Sequence, residues 1–187
     1  MKRLYFSLIA MIAFVGFAAL ALADPGTTWD EKINGHHRFK VLSQFGGAAV
    51  LDKETGRVWE QSPSTDTFCW TASADCTGTG TTLTVLDALS HCYQLEVGGR
   101  KGWRVPTIEE LASLVDTSQG SPTTPALPAG HPFNVSPTPH WSATSNASDA
   151  SRAWAVGFAT GNVFRVVKTA SREVWCVRGG QGIDGVQ

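Results

Sequence analysis

Charge of either sign is scarce in this chain, and neither sign dominates. Fifteen Lys and Arg face 16 Asp and Glu, a formal net charge of −1 over 187 residues. Nucleic-acid-binding domains rest on a clear basic surplus, which is missing here. No Ser-His-Asp order, paired-carboxylate site or His-rich metal motif stands out, so the residues point away from catalysis and from a metal cofactor. His36-His37 is a lone histidine pair of the kind found in surface turns. The four cysteines show none of the spacings that hold zinc.

The N-terminus carries a pattern of its own. Lys2-Arg3 precedes an apolar run, Leu4 to Leu20, and Ala21-Leu22-Ala23 has the small-x-small form of a signal-peptidase site. The run is near the lower length limit for a membrane span, and no basic stop-transfer cluster follows it. No cysteine lies near the site to carry a lipid. We therefore expect residues 1–23 to be a signal peptide, no stable membrane span after cleavage, and a protein exported to the periplasm or beyond. Asp24–Gln187 then suits one domain. The remaining charge is uneven, because five basic residues (Arg152, Arg165, Lys168, Arg172 and Arg178) face two acidic ones after Ala150. A local basic face follows only if the fold brings them together.

In an exported chain four cysteines read as two disulfides. Cys69 and Cys76 flank a short segment and favour a local bridge, which leaves Cys92 with Cys176.

Residues 24–47 read as a leader ending in a first strand, Arg38–Leu42. Ala48–Leu51 and Arg57–Glu60 form a hairpin around a turn in which Asp52 binds turn groups and Gly56 takes a positive φ. Ser62–Thr82 is a polar loop. Leu83–Leu95 is helical, with Leu86, Leu89, Cys92 and Tyr93 on one face, His91 turned outward and Gly98-Gly99 ending it. In Trp103-Arg104-Val105-Pro106-Thr107-Ile108-Glu109-Glu110-Leu111, the proline disfavours helix at Val105 and sets the start of a second helix. Thr107 with Glu110 is a capping box, and Ile108, Leu111, Leu114 and Val115 supply the buried stripe up to Asp116. Arg104 is expected to satisfy carbonyls or a carboxylate inside the fold. Residues 117–139 hold six of the nine prolines and form a long irregular excursion, a type of loop that often carries function, with Pro132 and Phe133 as its anchors. His140–Thr144, Arg152–Phe158 (Trp154, Val156 and Phe158 on one side), Val163–Val167 and Glu173–Arg178 are expected to make one antiparallel sheet.

Six motifs occur in order. They are Asp52-(x)2-Thr55-Gly56-(x)2-Trp59, Ala88-(x)3-Cys92, the Trp103–Leu111 segment, Trp141-Ser142-(x)-Thr144, Ala153-Trp154-(x)-Val156-(x)-Phe158-(x)2-Gly161, and Cys176-Val177-Arg178-Gly179-Gly180. Together, over Val50 to Gly180, they resemble the Lcl C-terminal domain family, bacterial domains of unknown function named from a collagen-like surface adhesin. The resemblance implies a C-type-lectin-like α+β fold, close in architecture to formylglycine-generating enzymes, with two helices flanking antiparallel sheets and a long loop region. It sets the domain at residues 48–182 with a tail at 183–187, and it implies a Cys92–Cys176 disulfide. The adhesin binds sulfated polysaccharides and assembles as a trimer. This chain departs from the pattern at Val85, Ala143 and Trp175, and no Gly-x-y run precedes the domain.

Three functional classes follow. An exported binding module would meet a polysaccharide, cell-surface glycan or envelope polymer through its loops. Trp70 and Trp141 would stack on sugar faces, and Asn146, Asp149, Arg152, Arg165, Lys168 and Arg172 would fix hydroxyls or anionic groups. A structural or protein-interaction module would instead hold an envelope protein. An oxidase like the formylglycine-generating enzymes would need free cysteines, whereas all four are expected to pair into bridges. Asn146 and Asp149 offer oxygens to calcium without a full coordination set.

Overall fold

The computed structural model describes residues 34–71, 76 and 87–179. The expected signal peptide, the start of the leader, much of the polar loop with Leu83–Leu86, and the tail lie outside the described residues.

Sequence alternation sets out most of the strands. β1 (Phe39–Val41), β2 (Ala49–Asp52) and β3 (Arg57–Glu60) follow a one-turn helix α1 (Gly35–Arg38). β1 pairs antiparallel with β2, and β2 with β3, so the expected first strand is present and joins this sheet. The β2–β3 turn is organised as the sequence suggests, with Gly56 at φ 67°. Asp52 accepts from Thr55 Oγ1 at 2.8 Å and Glu54 N at 3.2 Å. The carboxylate is fully buried and also takes two bonds from Arg38, Nε at 2.9 Å and Nη2 at 2.8 Å. A buried charge is tolerated when paired in this two-pronged way.

Helix α2 (Ala88–Gln94) is capped by Asp87, whose side chain accepts from Ser90 N. Its buried positions are Ala88 and Cys92, with Leu89, His91 and Leu95 half-buried. The stripe 88, 91, 92, 95 lies one residue round from the expected one, which corrects two placements. Tyr93 is 80% exposed. His91 is turned inward, its ring centroid 4.4 Å from that of Phe68, and burial lowers its pKa against the pull of Asp66. Gly98-Gly99 does not cap the helix. It builds a separate turn closed by Val97 and Arg100, where Gly98 has φ 56° and a Cβ would sit 2.6 Å from the Phe45 backbone.

Helix α3 (Ile108–Ala112) starts where Pro106 places it, with both halves of the capping box formed. A further orphan amide, Ile108 N, donates to Thr144 Oγ1 at 3.0 Å. Replacing Thr107 by Ala is expected to lower unfolding free energy by about 1 kcal/mol, read from urea denaturation; an unchanged midpoint would mean that Thr144 alone sets the helix start. Arg104 acts within the fold, making paired 2.7 Å bonds to Glu110. Burial pushes Glu110 up, but bonds from Arg104, Thr107 N and Arg57 outweigh it and hold the carboxyl at about 2.

The second half adds β4 (Pro139–Ser145), β5 (Arg152–Gly157), β6 (Asn162–Val167), β7 (Glu173–Val174) and β8 (Val177–Arg178). These do not form one antiparallel sheet. The order β6-β5-β4-β7 makes one sheet, and β1-β2-β3-β8 makes the other. β7 runs parallel to β4, while β8 runs antiparallel to β3. The expected last strand therefore divides at Trp175-Cys176 and serves both sheets. Every residue from Glu173 to Val177 is buried, so the polar alternation of a one-sided strand is missing there.

Trp175 is the hub of the core at this switch. Its ring meets Phe133 at 4.8 Å, Trp59 at 5.3 Å and Phe158 at 5.6 Å. The proline-rich excursion packs down over this cluster through Ala126, Leu127 and Phe133, all buried. Ala126 N donates to Phe158 O, and Gln61 Nε2 donates to Pro132 O. Cys92–Cys176 ties α2 to the switch, and Cys69–Cys76 closes the local loop.

Candidate functional site

The two hairpin strands β5 and β6 set the geometry of an open surface. Their register pairs Arg152 with Val167, Trp154 with Arg165 and Val156 with Val163. Opposite residues in an antiparallel pair share a face, so these six side chains line one side. Ala153, Ala155, Phe164 and Val166 line the other and enter the core between the sheets. Val156 packs in the same cluster as Leu111 of α3 and Leu114 just beyond it, but Trp154 belongs to neither core cluster. Trp154 is half-buried and lines an open concavity of about 480 Å³ together with Arg152, Val163 and Arg165. The Arg165 guanidinium lies 5.9 Å from the Trp154 ring centroid. Arg152 Nε donates to Asp149 Oδ2 at 3.1 Å, with both side chains more than two-fifths exposed. Val163 and Val167 are 45% and 40% exposed.

The eight site residues expected from sequence divide among five places. Arg152 and Arg165 meet at Trp154. Lys168 has the opposite parity and points to the other side, where its Nζ lies 3.9 Å from the Trp70 ring centroid and donates to Ser145 Oγ. Trp70 is half-buried, and its Nε1 donates to Ser142 O at 2.7 Å, so the lysine already occupies its ring face. Trp141 is fully buried, with Nε1 donating to Phe68 O. That corrects its expected stacking role, since no face of the indole reaches solvent. Asn146 is buried as well, and its Oδ1 accepts from Ser148. Asp149 accepts from Ser151 N and Oγ, bonds that together with Arg152 hold its pKa low. The 145–151 loop thus spends these oxygens on itself. Among the described residues no cluster of three or more His, Cys, Asp or Glu could hold a metal ion. Arg172 stands apart at β7, donating from Nη1 to Ser171 O. The C-terminal basic residues therefore form no single patch.

Sequence alternation sets Trp154 on one side of its strand with Val156 and Phe158 and does not mark it as a site residue. The shared row is correct, but α3 covers only its far end. A usable signal was present: in Arg152-Ala153-Trp154-Ala155 the small residues face the packed side, which turns the indole outward.

This frame and groove define a small disulfide-bonded α+β domain of two four-stranded sheets that displays a tryptophan between two arginines. The Lcl C-terminal domain model matches residues 48–178, and the chain belongs to that family. No curated protein and no solved structure matches it. No helix among the described residues is long and apolar enough to cross a membrane, and the two disulfides fit an oxidising compartment.

Proposed function

We propose that this protein is an exported, non-catalytic binding module on a C-type-lectin-like frame, and that it recognises a glycan or envelope polymer. The observation that carries this reading is the open groove lined by Trp154, Arg152 and Arg165. An indole offers a flat apolar face to a sugar ring, and guanidinium groups donate in planar pairs to hydroxyls or carboxylates. Because β5 and β6 are paired along their length, the three side chains are held on a rigid surface, which reduces the ordering cost of binding. On this reading the ligand meets a sheet face more than the loops. Two arginines set against Asp149 favour a neutral or weakly anionic polymer over a dense polyanion. With all four cysteines committed to disulfides, the free thiols that a formylglycine-type oxidase would need are absent from this reading.

Retention on immobilised envelope polysaccharides, at low salt and with calcium, tests the proposal. Trp154→Ala is expected to weaken retention at least tenfold, the size of effect typical of a buried-edge aromatic anchor, while leaving the melting curve in place. Equal retention of the two proteins, or none by either, rejects it. A second reading, a protein-interaction module of the envelope, is favoured by exposed Val163 and Val167 on the edge strand β6. Cross-linking in intact cells that captures one protein through β6, with no polysaccharide retention, would select it.

A further inference from the structure

Strand β6 closes the order β6-β5-β4-β7 and has a neighbour on one side only. It pairs with β5 over Asn162–Val167 without a register shift. Just past its end, Lys168 N donates to Ser151 O at 2.9 Å and continues the same register. Bonded and unbonded pairs alternate along an antiparallel ladder. Asn162, Phe164 and Val166 therefore turn their amides toward β5, and Val163, Arg165 and Val167 turn theirs to the open edge. Of these outward groups, Val167 O accepts from Ala170 N at 3.0 Å. No described residue bonds to the N–H and C=O of Val163 and Arg165 or to the N–H of Val167.

The same three residues carry the exposed side chains of the strand. Val163 and Val167 are 45% and 40% exposed, and Arg165 between them is exposed too. Arg165 forms no ion pair with a described residue; its guanidinium rests only against the Trp154 ring. A regular edge with free amides is a template for a further strand, and proteins usually blunt one with a proline, a bulge or charges. Here Arg165 is the only charge within β6, and there is neither proline nor bulge.

That one charge decides what can be added. In a two-fold antiparallel pairing of β6 with a second copy, Arg165 falls opposite its own counterpart or diagonal to it, about 7–8 Å away. Like charges so placed disfavour self-association. An incoming strand with a carboxylate at that position gains the cross-strand pair that Arg165 lacks, and apolar residues two positions to either side cover Val163 and Val167.

We propose that the open edge of β6 takes up an extended segment of a partner protein as an added antiparallel strand, with a carboxylate facing Arg165 and β-branched or aromatic side chains facing Val163 and Val167. The proposal rests on the protein-interaction reading above and supplies its partner chemistry. It makes no use of a sugar ligand.

The test is an amide chemical-shift titration of the disulfide-bonded protein with the capped peptide Thr-Val-Thr-Glu-Thr-Val-Thr, whose valines and glutamate share one face. Saturable shifts are expected at Val163, Arg165 and Val167. A second peptide with lysine in place of the glutamate should bind about fivefold more weakly. Arg165→Glu, a change at an exposed position, should reverse that order. Methylating the valine and glutamate amides, which would donate to β6, should abolish binding, whereas methylating the threonines on either side of the glutamate should leave it. The proposal is overturned if the acidic peptide shifts nothing on β6, if the two peptides bind equally, or if binding survives methylation of the valine and glutamate amides. Should the peptide fail while cross-linking in intact cells still captures one protein, strand addition is refuted and the interaction reading stands. Failure of both removes the reading as well.

Discussion

Replacing Cys92 and Cys176 together by Ala is expected to lower the unfolding free energy by about 4.5 kcal/mol, and replacing Cys69 and Cys76 by only about 2.5 kcal/mol. The difference follows from loop length, because the bridged residues are 84 apart in the first pair and 7 apart in the second. A longer closed loop removes more freedom from the unfolded chain. The long bridge also sits where the chain passes from one sheet to the other, so its loss frees α2 from the core as well. For a domain of this size the larger loss corresponds to a fall of roughly 10–15 °C in melting temperature. Urea denaturation of both double variants measures the two values side by side. Equal losses would show that native packing, and not chain entropy, sets the worth of each bridge.

Glu60 should make stability depend on pH in a direction unusual for a carboxylate. Burial raises its pKa from 4.5 to about 7, opposed by a hydrogen bond from Cys176 N. The fold uses this residue as a clasp at the sheet switch. Cys176 N donates to Glu60 Oε2 at 2.8 Å, Glu60 N donates to Cys176 O at 3.3 Å, and Trp175 Nε1 donates to Glu60 O at 2.9 Å. Because the folded pKa is raised, the unfolded chain ionises first as pH increases. Stability from this group is therefore complete below about pH 4.5, falls between 4.5 and 7, and is flat above, a total of about 3 kcal/mol. Fully buried His140 and half-buried His91 and His131 pull the other way. Burial lowers their pKa, so their contribution is lost as pH falls below the unfolded histidine value. Glu60→Gln keeps the acceptor for Cys176 N and removes the charge. Its stability should match the parent near pH 4 and exceed it by about 3 kcal/mol near pH 8. Denaturation curves at both values isolate the effect, since the histidine contribution is common to the two proteins; parallel profiles would show that Glu60 is not the titrating group.

Local rules were legible wherever the cause is local. Pro106 with the Thr107–Glu110 box located α3 because a proline and a cap act within one turn. Asp52 and Gly56 located the β2–β3 hairpin for the same reason. The two disulfide partners followed from spacing and from the family motifs. The α2 stripe was misread by one residue, because Tyr93 is apolar enough to fit the pattern and its exposure depends on what lies opposite. The candidate site was legible only in part. Arg152 and Arg165 stand out as site residues from the sequence alone, whereas Trp154 does not.

Those misses share one physical origin. Period and composition state which residues can share a face, and they determined the strands, the caps, the bridges and the class of fold. Which part of a face is covered depends on elements far away in the chain. Trp154 is open because α3 ends over Val156, and Trp141 is closed because it faces the space between two sheets. Lys168 parts from Arg165 because their positions on β6 and just beyond it differ in parity. The division of Glu173–Arg178 between two sheets was decided by Trp175 filling the core at the point of crossing. A sequence of neighbours records no such distance; packing does.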